Sequence, residues 1–262
     1  MEQNKYFAEE TTDSAERERL AAIEAAKDPK TKRHLAALGV IPGWRCLEVG
    51  GGGGSITRWL ADRVGPSGRV VAADIDTRFL QEIDKPNVEA RKLDILKDAI
   101  EDSAFDVVHC RLLLIHLSDP EIALNRMVSA AKRGGWVMVE EADFSSYRAA
   151  DPNHPLSEAF TRIVQETFAN VKRSNVFDPY FGRRVRDLVG RAGLSDLGNE
   201  GTAYLWRGGE AEAREHRLSL PVLVKAGVCS ETDALTVAKA LADPKFAFVG
   251  HTIFSAWGRR VA

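Results

Sequence analysis

Five consecutive glycines, Gly50 to Gly54, constrain this chain more than any other feature. They follow the apolar run Arg45-Cys-Leu-Glu-Val49 and precede the helix-like run Ser55-Ile-Thr-Arg-Trp-Leu-Ala-Asp62. A strand that turns through glycine into a helix offers bare backbone N–H groups and a helix N-terminus to a ligand. Only glycine lets the main chain come that close and take positive φ without penalty. A flexible linker would be flanked by polar spacer, and these flanks are ordered apolar patterns.

From there strands and helices alternate. The patterns predict strands at 45–49, 69–73, 88–93, 106–110 and 135–140, and helices at 55–64, 77–83 and 119–132. Val70-Val-Ala-Ala73 and Trp136-Val-Met-Val139 are near-continuous apolar runs. Strands buried on both faces read this way, so a parallel sheet with helices on each side is expected. Upstream, residues 13–39 read as helical, with Asp28-Pro29 breaking them into two helices. Downstream, Asp151-Pro-Asn-His-Pro155 is a breaker cluster. Leu156, Phe160, Ile163, Val164, Phe168 and Val171 then mark an amphipathic helix. A helix near 181–192, a strand over 194–206, helices near 210–226 and 231–242, and a last strand over 245–257 complete the pattern.

The bulk numbers narrow the function class. A chain of 262 residues suits one domain with a cap. The expected organisation is a single domain over 1–262. It has an N-terminal helical cap at 1–40, a cofactor-binding core at 41–141, and substrate-cap helices with the final strands at 142–262. A net charge of −2 argues against a nucleic-acid surface as the main partner. Cys46, Cys110 and Cys229 are odd in number and far apart, which reads as reduced thiols in the cytoplasm rather than a disulfide framework or a zinc site. No metal is expected. The first six residues lack the apolar run of a secretory signal. No stretch approaches the roughly 18 apolar residues of a membrane span. Tyr6 and Phe7, adjacent aromatics in a polar segment, read either as a lid over the site or as part of a disordered tail.

Spacing then picks out site residues. Gly50, Gly52 and Gly54 alternate, and Glu48 precedes them by two positions. Asp74 ends the second expected strand, 20 residues after Gly54, where a carboxylate can take both ribose hydroxyls of a nucleotide-like ligand. Asp94 ends the third, where it either meets an adenine amine or serves as a turn residue. Asp76 reads most simply as a helix N-cap.

Taken in order, Glu48-Val-Gly-Gly-Gly-Gly-Gly54, Val70-Val-Ala-Ala-Asp-Ile-Asp76, Lys92-Leu-Asp-Ile95, Phe105-Asp-Val-Val-His-Cys-Arg111 and Lys132-Arg-Gly-Gly-Trp-Val-Met-Val139 resemble the motifs of class I S-adenosylmethionine-dependent methyltransferases, small-molecule branch. The likeness is close over about residues 44–141. Gly51 and Gly53 depart from it, since the family often has a larger residue there. The resemblance implies an α/β, Rossmann-like doubly wound sheet of seven strands. Its order would be 3-2-1-4-5-7-6, with the last strand of the chain antiparallel and helical cap insertions. It implies S-adenosyl-L-methionine as cofactor. Glu48, Gly50, Gly52 and the backbone of Cys110 and Arg111 would then face the methionine part. Asp74 and Ile75 would face the ribose, and Asp94 and Ile95 the adenine.

The acceptor side is less constrained, because methyl transfer from a sulfonium is mainly alignment and exclusion of water. His109, His116, Asp143, Tyr147, His154 and Tyr180 are the acid–base candidates, with His109 and Asp143 preferred as catalytic. His109 and His116 also read as structural histidines. Glu141 and Asp143 follow the fifth strand, at the rim where substrate enters or a turn is capped. Arg111 would either pin a carboxylate or pair with a nearby acid. Phe144, Tyr147, Phe160 and Tyr180 would bind a small, mainly apolar or aromatic acceptor, with O-methylation in secondary metabolism the first expectation. The cap helices would serve that pocket or a homodimer. Three rival readings stay open. One is a nicotinamide-dependent oxidoreductase, which would prefer GxGxxG spacing. Another is a methyltransferase-like protein with a non-methylating reaction such as cyclisation. A nucleic-acid methyltransferase is the third, and the fourth strand lacks the Asn/Asp-Pro-Pro-aromatic run that reading needs.

Overall fold

The computed structural model describes residues 12–261. Tyr6 and Phe7, the expected lid, lie outside the described residues. The helices are α1 (Asp13–Ala37), α2 (Ser55–Val64), α3 (Pro120–Ala130), α4 (Ser157–Arg173), α5 (Val185–Arg191), α6 (Ala211–Lys225) and α7 (Glu231–Ala242). The strands are β1 (Arg45–Val49), β2 (Arg69–Asp74), β3 (Val88–Lys92), β4 (Phe105–Arg111), β5 (Ala131–Asp143), β6 (Arg148–Ala149), β7 (Leu194–Thr202), β8 (Leu205–Arg207), β9 (Ala247–Val249) and β10 (Thr252–Arg260).

Two compact units result. Among the described residues, the sheet unit holds Lys27–Glu141, Arg184–Glu200 and 254–261. The helical unit holds 12–26, Ala142–Arg183 and Gly201–Ile253.

The main sheet runs β3-β2-β1-β4-β5-β10-β7, with the last strand of the chain antiparallel. This is the order and direction expected. Val49 pairs with Ala73 on β2 and with Cys110 on β4, so the C-terminal ends of three central strands lie side by side. β1 and β2 read as continuous apolar runs because they are covered on both faces. Leu47, Val70, Val71 and Val108 have no exposed surface. Leu35, Val40, Cys46, Ile56, Leu60, Val64, Val107 and Met138 form one core layer of this unit. All three cysteines are free and buried.

The helical unit has its own core. Phe160, Ile163, Val164, Phe168 and Val171, the stripe expected on α4, pack with Leu220, Val237, Phe246 and Phe248. A small antiparallel sheet, β6-β9-β8, belongs to this unit and was not foreseen. The expected strand 194–206 divides into β7 and β8, and the expected strand 245–257 divides into β9 and β10 at Gly250-His251.

Two further expectations are corrected. α1 runs through Pro29 as one helix. A proline removes one helical hydrogen bond, and here Lys30, Thr31 and His34 just beyond it are buried, so packing holds the turn together. Residues 78–82 form a turn, not the helix expected at 77–83. Pro86 disfavours helix at Lys85, so the segment is too short to recover the nucleation penalty. Among the described residues, no helix is long and apolar enough to cross a membrane.

Gly68, between α2 and β2, lacks space for a side chain. A Cβ there would lie 2.5 Å from the Val64 Cβ and 2.7 Å from the Trp44 carbonyl oxygen. Gly68→Ala is expected to destabilise the fold by about 1–3 kcal/mol, read as a lower midpoint in denaturant unfolding. An unchanged midpoint would show that the turn yields freely.

Candidate active site

The glycine loop closes on β2 more fully than the sequence suggested. Gly50 N and Gly51 N both donate to the Ala73 carbonyl, at 2.8 and 3.3 Å. Gly52 N donates to Asp74 Oδ2 at 2.9 Å, and Gly54 N to the Gly51 carbonyl at 2.9 Å. Those four donors are therefore engaged within the protein rather than bare. What glycine supplies is conformation and clearance. Gly50, Gly52 and Gly54 have φ of 76, 53 and 84°. A Cβ on Gly50 would fall 3.3 Å from the Leu113 side chain, and one on Gly51 would fall 3.1 Å from Leu80.

Asp74 accepts twice, from Gly52 N and from Asp76 N at 3.1 Å. Burial pushes its carboxyl up, opposed by the Gly52 and Asp76 hydrogen bonds. A carboxylate has about four acceptor positions, so these two bonds do not saturate it. Asp94 makes a turn, accepting from Leu96 N at 3.0 Å and from the exposed Lys97 at 2.8 Å. Ile75 is exposed, while Ile95 and Cys110 are buried. Glu48 is buried at the end of β1 and accepts the Thr57 hydroxyl of α2.

The back half of α1 enters this region through Asp28, which sequence reasoning missed. Its Oδ1 accepts from Ser55 Oγ at 2.9 Å and from Arg111 Nη2 at 3.0 Å, and Lys32 lies 2.9 Å from Oδ2. Arg111 Nη1 donates to Thr31 Oγ1 at 2.9 Å. Arg111 is thus paired with an acid. Helical spacing accounts for Lys32 alone; Ser55 and Arg111 come from α2 and β4, which no local pattern marks.

Two consecutive buried carboxylates follow on β5. Glu140 accepts from Thr31 Oγ1 at 2.5 Å and Ser255 Oγ at 2.6 Å, with His34 Nδ1 at 3.4 Å and His109 Nε2 at 3.5 Å. Burial alone would raise its carboxyl, but His109, His34 and Ser255 hold it well below the usual carboxylate range. His109 has no exposed surface, and its Nε2 lies 3.5 Å from Glu140 Oε2, beyond ordinary hydrogen-bond length. Neither of its ring nitrogens has a hydrogen-bond partner among the described residues. Glu141 Oε1 accepts from Leu113 N and Leu114 N at 3.0 and 2.7 Å. Those bonds fix a turn in which Leu112 takes a left-handed φ of 54° and Leu113 lies against Gly50. Burial pushes Glu141 up to about 8, opposed by those backbone hydrogen bonds.

The other candidate residues from the sequence belong mostly to the helical unit. Asp143 is buried and held by a forked pair with Arg183, whose Nη2 donates to Oδ1 at 2.9 Å. Burial raises its carboxyl, and Arg183 with Ser145 more than offsets that. Arg183 also covers the Tyr180 ring at 5.3 Å. Phe144 stacks on Phe168 at 4.2 Å, and Tyr147 lies 5.9 Å from Phe160. His154 pairs with Asp243 at 3.2 Å, and His116 ends a short 3-10 turn in the sheet unit. Glu212, His216 and His251 surround Tyr147 and were not foreseen. They come from one helix and one distant loop, so no local pattern marks them. Among the described residues, no cluster of His, Cys, Asp and Glu could hold a metal ion.

A family model described as a methyltransferase domain matches residues 47–139, the span from β1 through β5. Residues 47–139 are a class I methyltransferase domain. The chain is 30% identical over 183 residues to an uncharacterized 37.1 kDa protein in transposon TN4556 of Streptomyces fradiae, covering 68% of this chain and 51% of that one. It is 39% identical over 111 residues to the ubiquinone/menaquinone biosynthesis C-methyltransferase UbiE of Ectopseudomonas mendocina, covering 39% and 43%. The chain spans about half the length of the curated relatives it matches. Phosphoethanolamine N-methyltransferase 2 of Haemonchus contortus, solved with S-adenosyl-L-methionine, shares the fold. Its TM-score is 0.63 at 15% identity, over 100% of this chain and 61% of that one.

Glu141, two residues beyond the matched span, makes stability depend on pH. A carboxyl raised on folding contributes stability that is complete below its unfolded pKa of about 4.5 and lost as pH rises through about 8. Glu141→Gln keeps an oxygen for the two N–H groups and removes the titration. Thermal unfolding of the variant is expected to decline less across that window than the wild type. Parallel declines would mean that Glu141 is already ionised in the folded state.

Proposed function

We propose that this chain transfers a methyl group from S-adenosyl-L-methionine to a small, mainly apolar or aromatic acceptor, with oxygen as the methylated atom. One observation carries the donor half of the reading. The glycine loop and the Asp74 carboxylate are locked together at the adjacent C-terminal ends of β1 and β2, where an open α/β sheet takes its ligand. The residues present fit such a donor. The positive-φ glycines give the loop a path that other residues follow only with strain, a Cβ on Gly50 would press on Leu113, and Asp74 would offer its carboxylate to ribose hydroxyls. Asp94 and Ile95 would meet the adenine, and Ile75 would flank the ribose. Glu48, Gly50, Gly52 and the backbone of Cys110 and Arg111 would hold the methionine end. The methyltransferase match over residues 47–139 supports the same reading, as does the neighbour solved with S-adenosyl-L-methionine.

When bound, the sulfonium supplies an electrophilic methyl carbon; the chain's own residues orient it and exclude water. Acidic groups suit a cationic donor. Glu141 holds the Leu112–Leu114 turn that backs Gly50. His109, buried against Glu140, keeps α1, β4 and β5 in register in this reading. Asp143, fixed by Arg183, is a permanent carboxylate for orienting an acceptor. The relative named for C-methylation favours carbon as a second choice of methylated atom. We place the activity in the cytoplasm and in secondary metabolism, the former on its buried reduced cysteines.

Asp74→Ala is expected to weaken S-adenosyl-L-methionine binding about 10- to 100-fold by calorimetry. Unchanged affinity would remove Asp74 from the ribose role. The wild type is expected to bind this donor and to ignore NAD. Binding of NAD alone would overturn the methyltransferase reading in favour of an oxidoreductase.

A further inference from the structure

The core of the helical unit contains polar groups that its packing does not explain. Tyr147 is 1% exposed, and its phenol oxygen has no hydrogen-bond partner among the described residues. A buried donor left unmade costs about 1–3 kcal/mol, and most native cores avoid it. Beside it, His251 Nδ1 lies 2.5 Å from Glu212 Oε1, with both side chains 6% exposed or less. The loop is shaped for that pair. Gly250 precedes His251, and a Cβ there would fall 3.0 Å from the same Glu212 oxygen. Ser146 Oγ anchors the loop through the Gly250 carbonyl at 2.9 Å.

Aromatic faces surround these groups. The Tyr147 and His251 rings are near parallel, 12° apart, with centroids separated by 6.3 Å. His216 stacks on Tyr147 at 4.8 Å, and Phe144 approaches His251 at 4.7 Å.

We propose that Tyr147, His251 and Glu212 bind a phenolic acceptor and take its proton. Only the methyl transfer after proton removal rests on the methyltransferase reading. Glu212 Oε1 lies 2.5 Å from Nδ1 of His251, which leaves Nε2 as the nitrogen to exchange a proton, the carboxylate–imidazole placement of a general base. The phenol O–H bond breaks, an N–H bond forms at Nε2, and the imidazolium is stabilised by Glu212. The charge left on the phenolate oxygen receives the hydrogen bond that Tyr147 lacks. Burial, with the charges of Glu212 and Glu215, pushes the Tyr147 phenol well above its ordinary range, so it stays a donor. Phenolate is nucleophilic at oxygen and at the ring carbons beside it, so the assignment holds for O- and C-methylation alike. An amine acceptor fits less well. It needs no base, which would leave His251 without a role.

The test uses the full chain and 4-nitrophenol, whose phenolate absorbs visible light, with 4-nitroanisole as the control that has no proton to lose. The wild type is expected to bind 4-nitrophenol with the phenolate band enhanced, and not to bind the anisole. Tyr147→Phe is expected to weaken that binding about 10-fold, the loss of one hydrogen bond to a charged oxygen. It should unfold at the same temperature as the wild type or higher, because it deletes an orphaned donor. His251→Gln is expected to abolish the enhanced phenolate band. Absence of 4-nitrophenol binding by the wild type overturns the proposal. So does equal binding by Tyr147→Phe, a Tyr147→Phe protein less stable than the wild type, or a His251→Gln protein that keeps the band. S-adenosylhomocysteine binding, measured separately, keeps the two readings apart. A wild type that binds it but not 4-nitrophenol loses only the phenol assignment. The reverse result removes only the donor assignment.

Discussion

The hydrogen bond from Gly52 N to the Asp74 carboxylate joins the two features on which the proposed donor site depends. One is a loop that only glycine can follow, and the other is a charge at the end of the neighbouring strand. Each makes the other usable. The loop gives a partly buried carboxylate a donor that favours its ionised form, and the carboxylate fixes the loop in its left-handed conformation. Parallel pairing of β1 with β2 brings both to one edge, and burial of those strands on both faces holds the edge rigid.

Behind that edge, two adjacent glutamates on β5 show how surroundings decide ionisation. Glu140 and Glu141 are equally buried. Glu140 is met by two histidines and two hydroxyls and is held ionised. Glu141 is met by backbone N–H groups alone, and burial prevails. Glu140 gathers α1, β4 and β10 around β5. Glu141 fixes the turn that closes against the glycine loop. Two neighbouring carboxylates thus serve as an ionic hub and as a cap.

The α/β alternation was legible because buried parallel strands are apolar throughout and are punctuated by glycine, and both signals are local. Asp74 was legible because its spacing from the loop is set by one helix and one strand. The unbroken α1 was not, since proline argues locally for a break and only burial beyond Pro29 restores the helix. Asp28 was hidden for the same reason: its partners Ser55 and Arg111 are 27 and 83 positions away. In the helical unit, α4 announced itself by its apolar stripe. The pairing of Glu212 with His251 joins a helix to a loop through a fold that no short pattern encodes. Tyr147 was legible as an aromatic, but not as an orphaned donor.

The glycine loop is the proposed cradle for the methyl donor. Amide hydrogen exchange of the full chain with and without S-adenosylhomocysteine tests it most directly. Slower exchange is expected at Gly50 to Ser55 and at Asp74 to Asp76, where ligand and loop would lock together. Protection confined to other segments, with the loop exchanging at its free rate, would contradict it.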